Sequence, residues 1–180
     1  MTKPSYISLA RIALIFPIIL LSSFNNPISN VLSLFFFLIA SFSDFIDGYI
    51  ARKTKTETEL GSLLDLVADK LLVCLVLIWI SYLKSSILIL IPVLMIVSRE
   101  LIISSIRQFF SEFKDKRLVK VSLIGKLKTA LQMISISMLL ISAEMGRLFY
   151  DISIIVLWSS AFFSIFSLYV YLNRWLKNLS

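Results

Sequence analysis

At 180 residues the chain is long enough for one domain, yet 58% of it is apolar and its mean hydropathy is +0.92, more than a water-soluble fold of this size can hide. Lys and Arg number 18 against 11 Asp and Glu, a formal charge of +7 that in so apolar a chain reads as a basic face on an anionic membrane and not as a nucleic-acid binder. The absence of histidine excludes imidazole acid–base catalysis, Ser-His-Asp triads and imidazole zinc sites, and the one cysteine, Cys74, lies in an apolar run and reads as a packed hydrophobe with no disulfide framework.

Crossing a bilayer takes about 20 mostly apolar residues. Six such spans are predicted, which makes residues 1–180 a single all-α, polytopic membrane domain. The first, Ser8–Phe24, contains the run Ile12–Leu21, and the residues after it offer no small-x-small cleavage site, so it reads as a retained helix. Asn25-Asn26-Pro27 breaks the chain before the second span, Ile28–Ala51. Lys53-Thr54-Lys55 separates that from the third, Leu60–Leu83, and Lys84-Ser85-Ser86 leads into the fourth, Ser86–Phe110. A charged stretch, Glu112–Lys120, precedes the fifth span, Ser122–Ala143, and a break over Glu144–Asp151 with Gly146 precedes the sixth, Ile152–Leu176. Trp158, Tyr171 and Trp175 on that last span suit interfacial or packing positions.

Basic residues orient the bundle. With the N-terminus in the cytoplasm, only Lys84 and Arg147 of the 18 fall outside, and the other 16 lie at or near the inner face. The opposite orientation reverses that bias.

The stretch from Ser43 to Lys70, SDFIDGYIARKTKTETELGSLLDLVADK, then straddles the cytoplasmic ends of spans two and three and holds four of the six aspartates. Asp44 and Asp47 are three apart, Asp65 and Asp69 four apart, so each pair projects from one helix face. The short loop Lys53–Glu59 would make the two helices antiparallel neighbours and bring four carboxylates together. Converging carboxylates repel, and in a low-dielectric site some would take up protons. A hard divalent cation, Mg²⁺, Mn²⁺ or Ca²⁺, resolves the conflict. Two ions about 3.5–4 Å apart would fit four carboxylates and clamp a phosphate during in-line displacement. Gly48 and Gly61 allow a ligand close to the backbone, Ala51 is small, and Arg52, one turn beyond Gly48, can pair with a phosphate oxygen. Taken singly, Asp44 or Asp47 would read as an interfacial carboxylate paired with Arg52 or Lys55.

The pattern Asp-x-x-Asp-Gly-x-x-Ala-Arg, eight residues, then Gly-x-x-x-Asp-x-x-x-Asp resembles the signature of the CDP-alcohol phosphatidyltransferases, with Asp44, Asp47, Gly48, Ala51, Arg52, Gly61, Asp65 and Asp69 at every fixed position. That resemblance implies six transmembrane helices with a cytoplasmic N-terminus, and transfer of a phosphatidyl group from CDP-diacylglycerol to an alcohol with release of CMP. It implies Asp44, Asp47, Asp65 and Asp69 as ligands of Mg²⁺ or Mn²⁺, two ions in all, and Asp69 as the general base. It also implies Gly48, Ala51, Arg52 and Gly61 around the cytidine diphosphate, with Thr56 and Thr58 adding hydrogen bonds. Family members are commonly homodimers in the cell membrane, with the active site facing the cytoplasm.

Arg99 and Arg107, in SRELIISSIRQ, lie eight residues apart on one face of span four, and Arg99 sits about 12 Å deeper than Arg107. Glu100 beside it can partner another charge. Lys126 and Lys128, in GKLKTALQ, open span five, where a helix start suits an anion. Cytoplasmic helix ends carry lysine on topological grounds alone, which accounts for Lys114, Lys116, Arg117 and Lys120 but poorly for Arg99. A cluster of Arg99, Arg107, Lys126 and Lys128 would hold a phosphate on the acceptor. The same segments resemble the branch of the family whose acceptor is glycerol 3-phosphate and whose product is phosphatidylglycerophosphate. The opening KPSYISLARI resembles that branch's Pro-Asn-x-Leu-Thr-x-x-Arg, with Ser5 for Asn, Ser8 for Thr and Arg11 kept, and Leu66 stands where the branch often has Pro.

The alternatives are a sister transferase that uses inositol phosphate, phosphatidylglycerol or serine, and, from another class, a small cation transporter. Intramembrane carboxylates mark transporters, but no inverted repeat or midplane break accompanies these.

Overall fold

The computed structural model describes the backbone of residues 3–24, 26–54, 59–112 and 123–179, and the side chains of residues 6–24, 26–43, 63–106 and 127–173 together with positions 61 and 125. Six helices account for nearly all of it: α1 Lys3–Ser23, α2 Pro27–Thr54, α3 Glu59–Lys84, α4 Ile87–Glu112, α5 Leu123–Met145 and α6 Arg147–Leu179. No strand occurs among the described residues. Runs this apolar have no water to satisfy their amides, so each backbone bonds within its own helix. Among the described residues, four helices carry stretches long and apolar enough to cross a bilayer, Tyr6–Ser23, Ile87–Ile106, Leu127–Met145 and Arg147–Asn173, while α2 holds a shorter one, Pro27–Ser43. The chain is a helical membrane protein.

Serine is frequent inside these helices because its hydroxyl can bond back to the preceding turn. Ser142 donates to the Leu139 carbonyl at 2.8 Å, and Ser153 to the Tyr150 carbonyl at 2.6 Å. On α6 the residues Ser153, Leu157, Ser160, Ala161, Ser164 and Ser167 are buried along one side, a small-residue stripe that admits close helix packing. That helix lies against α5 and α4. The core is aliphatic and periodic, with Ile15 and Ile18, Leu72 and Val76, and Ile89, Val93 and Ile96 at helical spacing. Phe16, Ile28 and Phe162, at 72%, 75% and 65% exposure, face outward, as a lipid-solvated surface requires.

Three turns are sharp. Asn26 caps α2, its Oδ1 accepting the Ser29 amide at 2.9 Å, with Pro27 at the first helical position. Ser85 takes φ of 43° between α3 and α4. Gly146, with φ of +82°, is the whole connection between α5 and α6, so the break expected over Glu144–Asp151 shrinks to one residue and Arg147–Asp151 continue the helix. A single left-handed glycine ends one helix and starts the next without a polar loop.

The helices α2 and α3 are in contact, as expected, but share a larger neighbour. Each packs chiefly against α1, and α2 also against α5, so α1 is the principal neighbour that the two share. Polar contacts then fall at two ends of the bundle. At the end with the sharp turns, Asn30 Nδ2 donates to Glu144 Oε1 at 3.1 Å, Trp79 Nε1 to Ser22 Oγ at 3.0 Å and Trp158 Nε1 to the Leu88 carbonyl at 3.0 Å. Lys84 Nζ lies 5.9 Å from the Tyr150 ring centre there, and burial pushes its ammonium below the ordinary 10.5, with Glu144 opposing. The candidate site lies toward the other end.

Candidate active site

Arg11 is a charged residue in the early part of an apolar helix, and its guanidinium is fully buried. Its Nη1 lies 3.2 Å from Asp65 Oδ1 on α3, and its Nε donates to Ser43 Oγ on α2, also at 3.2 Å. One side chain on α1 therefore draws together the two acidic segments, because Ser43 directly precedes Asp44. The Asp65 side chain keeps 40% of its surface exposed and so remains open to a second partner.

One turn beyond Asp65, Asp69 is half-buried and borders a cavity of about 730 Å³ between α2, α3 and α5. Phe37, Leu38, Phe42, Met133 and Met138 make most of its wall apolar, and Ser41 and Thr129 add hydroxyls. Its volume lies in the range of a ligand pocket. Asp69 is also within electrostatic range of Lys128 on α5.

Next to Asp69 begins a polar knot that ties four helices. Lys70 on α3 hydrogen-bonds Ser104 Oγ on α4, and that hydroxyl donates to the Glu100 carbonyl at 2.6 Å. Glu100 Oε1 accepts from Arg99 Nη1 at 2.9 Å and from Lys128 Nζ. Arg99 Nη2 donates to Ser167 Oγ on α6 at 3.0 Å. Arg99, Glu100 and Lys128 are all buried. Two cations that would repel in this setting are held by a carboxylate between them.

The sequence-predicted residues thus divide. Asp65 and Asp69 share α3, Gly61 is buried one turn before Asp65, and Arg99 and Lys128 meet through Glu100. Asp44, Asp47, Gly48, Ala51 and Arg52 lie on the last part of α2, Arg107 near the end of α4 and Lys126 at the start of α5, and their side chains fall outside the described residues. Thr56 and Thr58 fall wholly outside them. Among the described residues no three acidic, cysteine or histidine side chains converge; the test of the four-carboxylate site needs Asp44 and Asp47. The sequence alone gives Arg11 no role, although a lone arginine within an apolar span is itself a signal. Lys70, Ser104 and Ser167 carried no signal, since their pairing depends on how α3, α4 and α6 pack.

A family model for CDP-alcohol phosphatidyltransferase matches residues 1–166. The chain belongs to the CDP-alcohol phosphatidyltransferase family. Relatives within it include proteins named CDP-diacylglycerol–glycerol-3-phosphate 3-phosphatidyltransferase from Rickettsia bellii, 41% identical over 93% of this chain and 92% of the relative, and from Rickettsia typhi, 42% identical over 93% of each. One of the same name from Pectobacterium atrosepticum is 34% identical over 94% of this chain and 92% of its own length. Two carboxylates described at the site are oxygen donors of the type a hard divalent ion takes. Asp65 offers a partly exposed carboxylate, Asp69 a second one turn away, and Arg11 brings the α2 aspartates' backbone toward them.

Proposed function

We propose that the chain transfers the phosphatidyl group of CDP-diacylglycerol to sn-glycerol 3-phosphate, giving phosphatidylglycerophosphate and CMP. The relatives that cover almost its whole length carry the name of that reaction. The observation that carries the reading is the setting of Asp69, between an apolar cavity on the α2–α5 side and a basic knot on the α4 side. A lipid donor needs the first and a phosphorylated acceptor the second.

In this reading Asp44, Asp47, Asp65 and Asp69 would hold two Mg²⁺ or Mn²⁺ ions. Held by those carboxylates, such ions would supply neutralisation of the pyrophosphate and of the charge developing on CMP. Gly48, Ala51, Arg52, Gly61 and Thr58 receive the cytidine diphosphate. Arg99, Arg107, Lys126 and Lys128 hold the phosphate of the acceptor. Asp69 takes the proton from the acceptor hydroxyl, and the freed oxygen attacks the β-phosphorus. The new oxygen–phosphorus bond forms as the bond from that phosphorus to the CMP oxygen breaks, and CMP leaves with the electron pair. The cavity beside Asp69 takes acyl chain, so lipid stays in an apolar setting while the nucleotide remains in water.

The same reading places six spans in the inner or plasma membrane, the N-terminus and site in the cytoplasm, and the protein in a homodimer. The basic-residue bias supports the orientation. The test is CMP release by the purified chain with CDP-diacylglycerol, Mg²⁺ or Mn²⁺ and a panel of alcohols. Turnover should require glycerol 3-phosphate and cease in EDTA. Preference for serine or inositol phosphate would reassign the acceptor, and CMP release undiminished by chelation would remove the metal.

A further inference from the structure

Glu100 has no part in the chemistry above, yet it is the hub of the knot. It is 9% exposed, and a single oxygen, Oε1, accepts from both Arg99 and Lys128. Burying two cations side by side is unfavourable without a counter-charge, and one carboxylate leaves the knot a net positive charge for an incoming phosphate. Arg99 has donors in hand, because its buried Nε has no partner among the described residues. Ser104 fixes the backbone under this carboxylate and connects it to Lys70, the neighbour of Asp69.

We propose that Glu100 is the positioning residue of the acceptor-phosphate cluster. Its carboxylate holds the Lys128 ammonium and the Arg99 guanidinium in one place, without touching substrate. This rests on the phosphorylated-acceptor reading above. The inference predicts a specific kinetic signature. Loss of the carboxylate frees two cations to move apart, which weakens capture of the acceptor but not of the nucleotide lipid on the far side of Asp69.

The experiment measures CMP release by full-length protein in nanodiscs for wild type, Glu100→Gln, Glu100→Asp, Lys128→Met and the Glu100→Gln/Lys128→Met pair. Glu100→Gln should raise KM for glycerol 3-phosphate roughly 10- to 100-fold, the loss of a charge-assisted bond, and leave KM for CDP-diacylglycerol within about twofold. Glu100→Asp keeps the charge and should recover part of the loss, and it supplies the same comparison should the Gln variant not fold. Lys128→Met should cost less in the Glu100→Gln background than alone, because the two act as a unit. Equal rises in both KM values, or additive losses, would overturn the proposal, as would a fall in thermal stability with unchanged KM values. Should the wild type prefer another phosphorylated alcohol, the same selective rise in KM is expected for that alcohol, and its absence would overturn the proposal. Wild type that uses only unphosphorylated alcohols would overturn both readings.

Discussion

Replacing Arg11 by methionine tests how the acidic segments are held. The substitution keeps an unbranched stem in the apolar interior but removes the bonds to Asp65 and Ser43, each at 3.2 Å. A charge-assisted bond to a buried carboxylate is worth about 1.5–3 kcal/mol, but the Asp65 side chain is 40% exposed, and solvent screening brings its share to about 1 kcal/mol. Ser43 still donates to the Ala40 carbonyl at 2.7 Å, so losing the bond it accepts from Arg11 costs about 1 kcal/mol more. A total near 2 kcal/mol corresponds to a fall of about 4–8 °C in apparent Tm for a chain of this length. The loss should depend on metal. Without Arg11, Asp65 faces Asp69 one turn away with less positive charge beside it, and a divalent ion that binds the folded state restores stability by mass action. Thermal unfolding in EDTA and in saturating Mg²⁺ should therefore show the full fall in EDTA and a smaller one in Mg²⁺. Arg11→Lys should lie between, since it keeps the charge but not the two-pronged geometry. The same fall in both buffers, or none in EDTA, would refute the reasoning.

Asp69→Asn keeps the shape of the proposed base without its basicity, and CMP release should drop about 10²- to 10⁴-fold with the protein still folded; turnover within a few-fold of wild type would remove the assignment. Lys84 has its ammonium pushed below 10.5 by burial, so the unfolded chain binds the proton more tightly, and stability should rise as pH climbs toward 10.5. Lys84→Met should be more stable at neutral pH and lose that rise in a pH series of unfolding temperatures. Gly146→Ala meets nothing within 4 Å of the added methyl, so its cost is the left-handed backbone alone, about 1 kcal/mol, read as a small fall in Tm with activity unchanged.

The helices were legible because lipid leaves the backbone one economical choice, and runs such as Ile12–Leu21 show it in composition alone. Asp65 and Asp69 were legible too, since carboxylates next to a bilayer stand out against apolar neighbours and their spacing fixes a shared face. What the spacing could not supply was the partner of each group. Chain order suggested that α2 and α3 would be neighbours, which they are, but not that α1 would pack more extensively against both, with Ile15, Ile18 and Phe37 in the shared core. Arg99 and Lys128 stood out as basic residues, but Glu100's grip on both, and the tie of Arg99 to Ser167, depend on how α4, α5 and α6 meet. The α6 boundary was misread because Arg147 and Asp151 resemble loop residues, yet one glycine sufficed for the turn.

The turns at Ser85 and Gly146, with the short link before Pro27, leave six helices as three clothes-pegs sprung at the same end. The hinge of each peg is only a few residues long, and Asp65, Asp69 and Lys128 all sit toward the jaws, away from the three hinges.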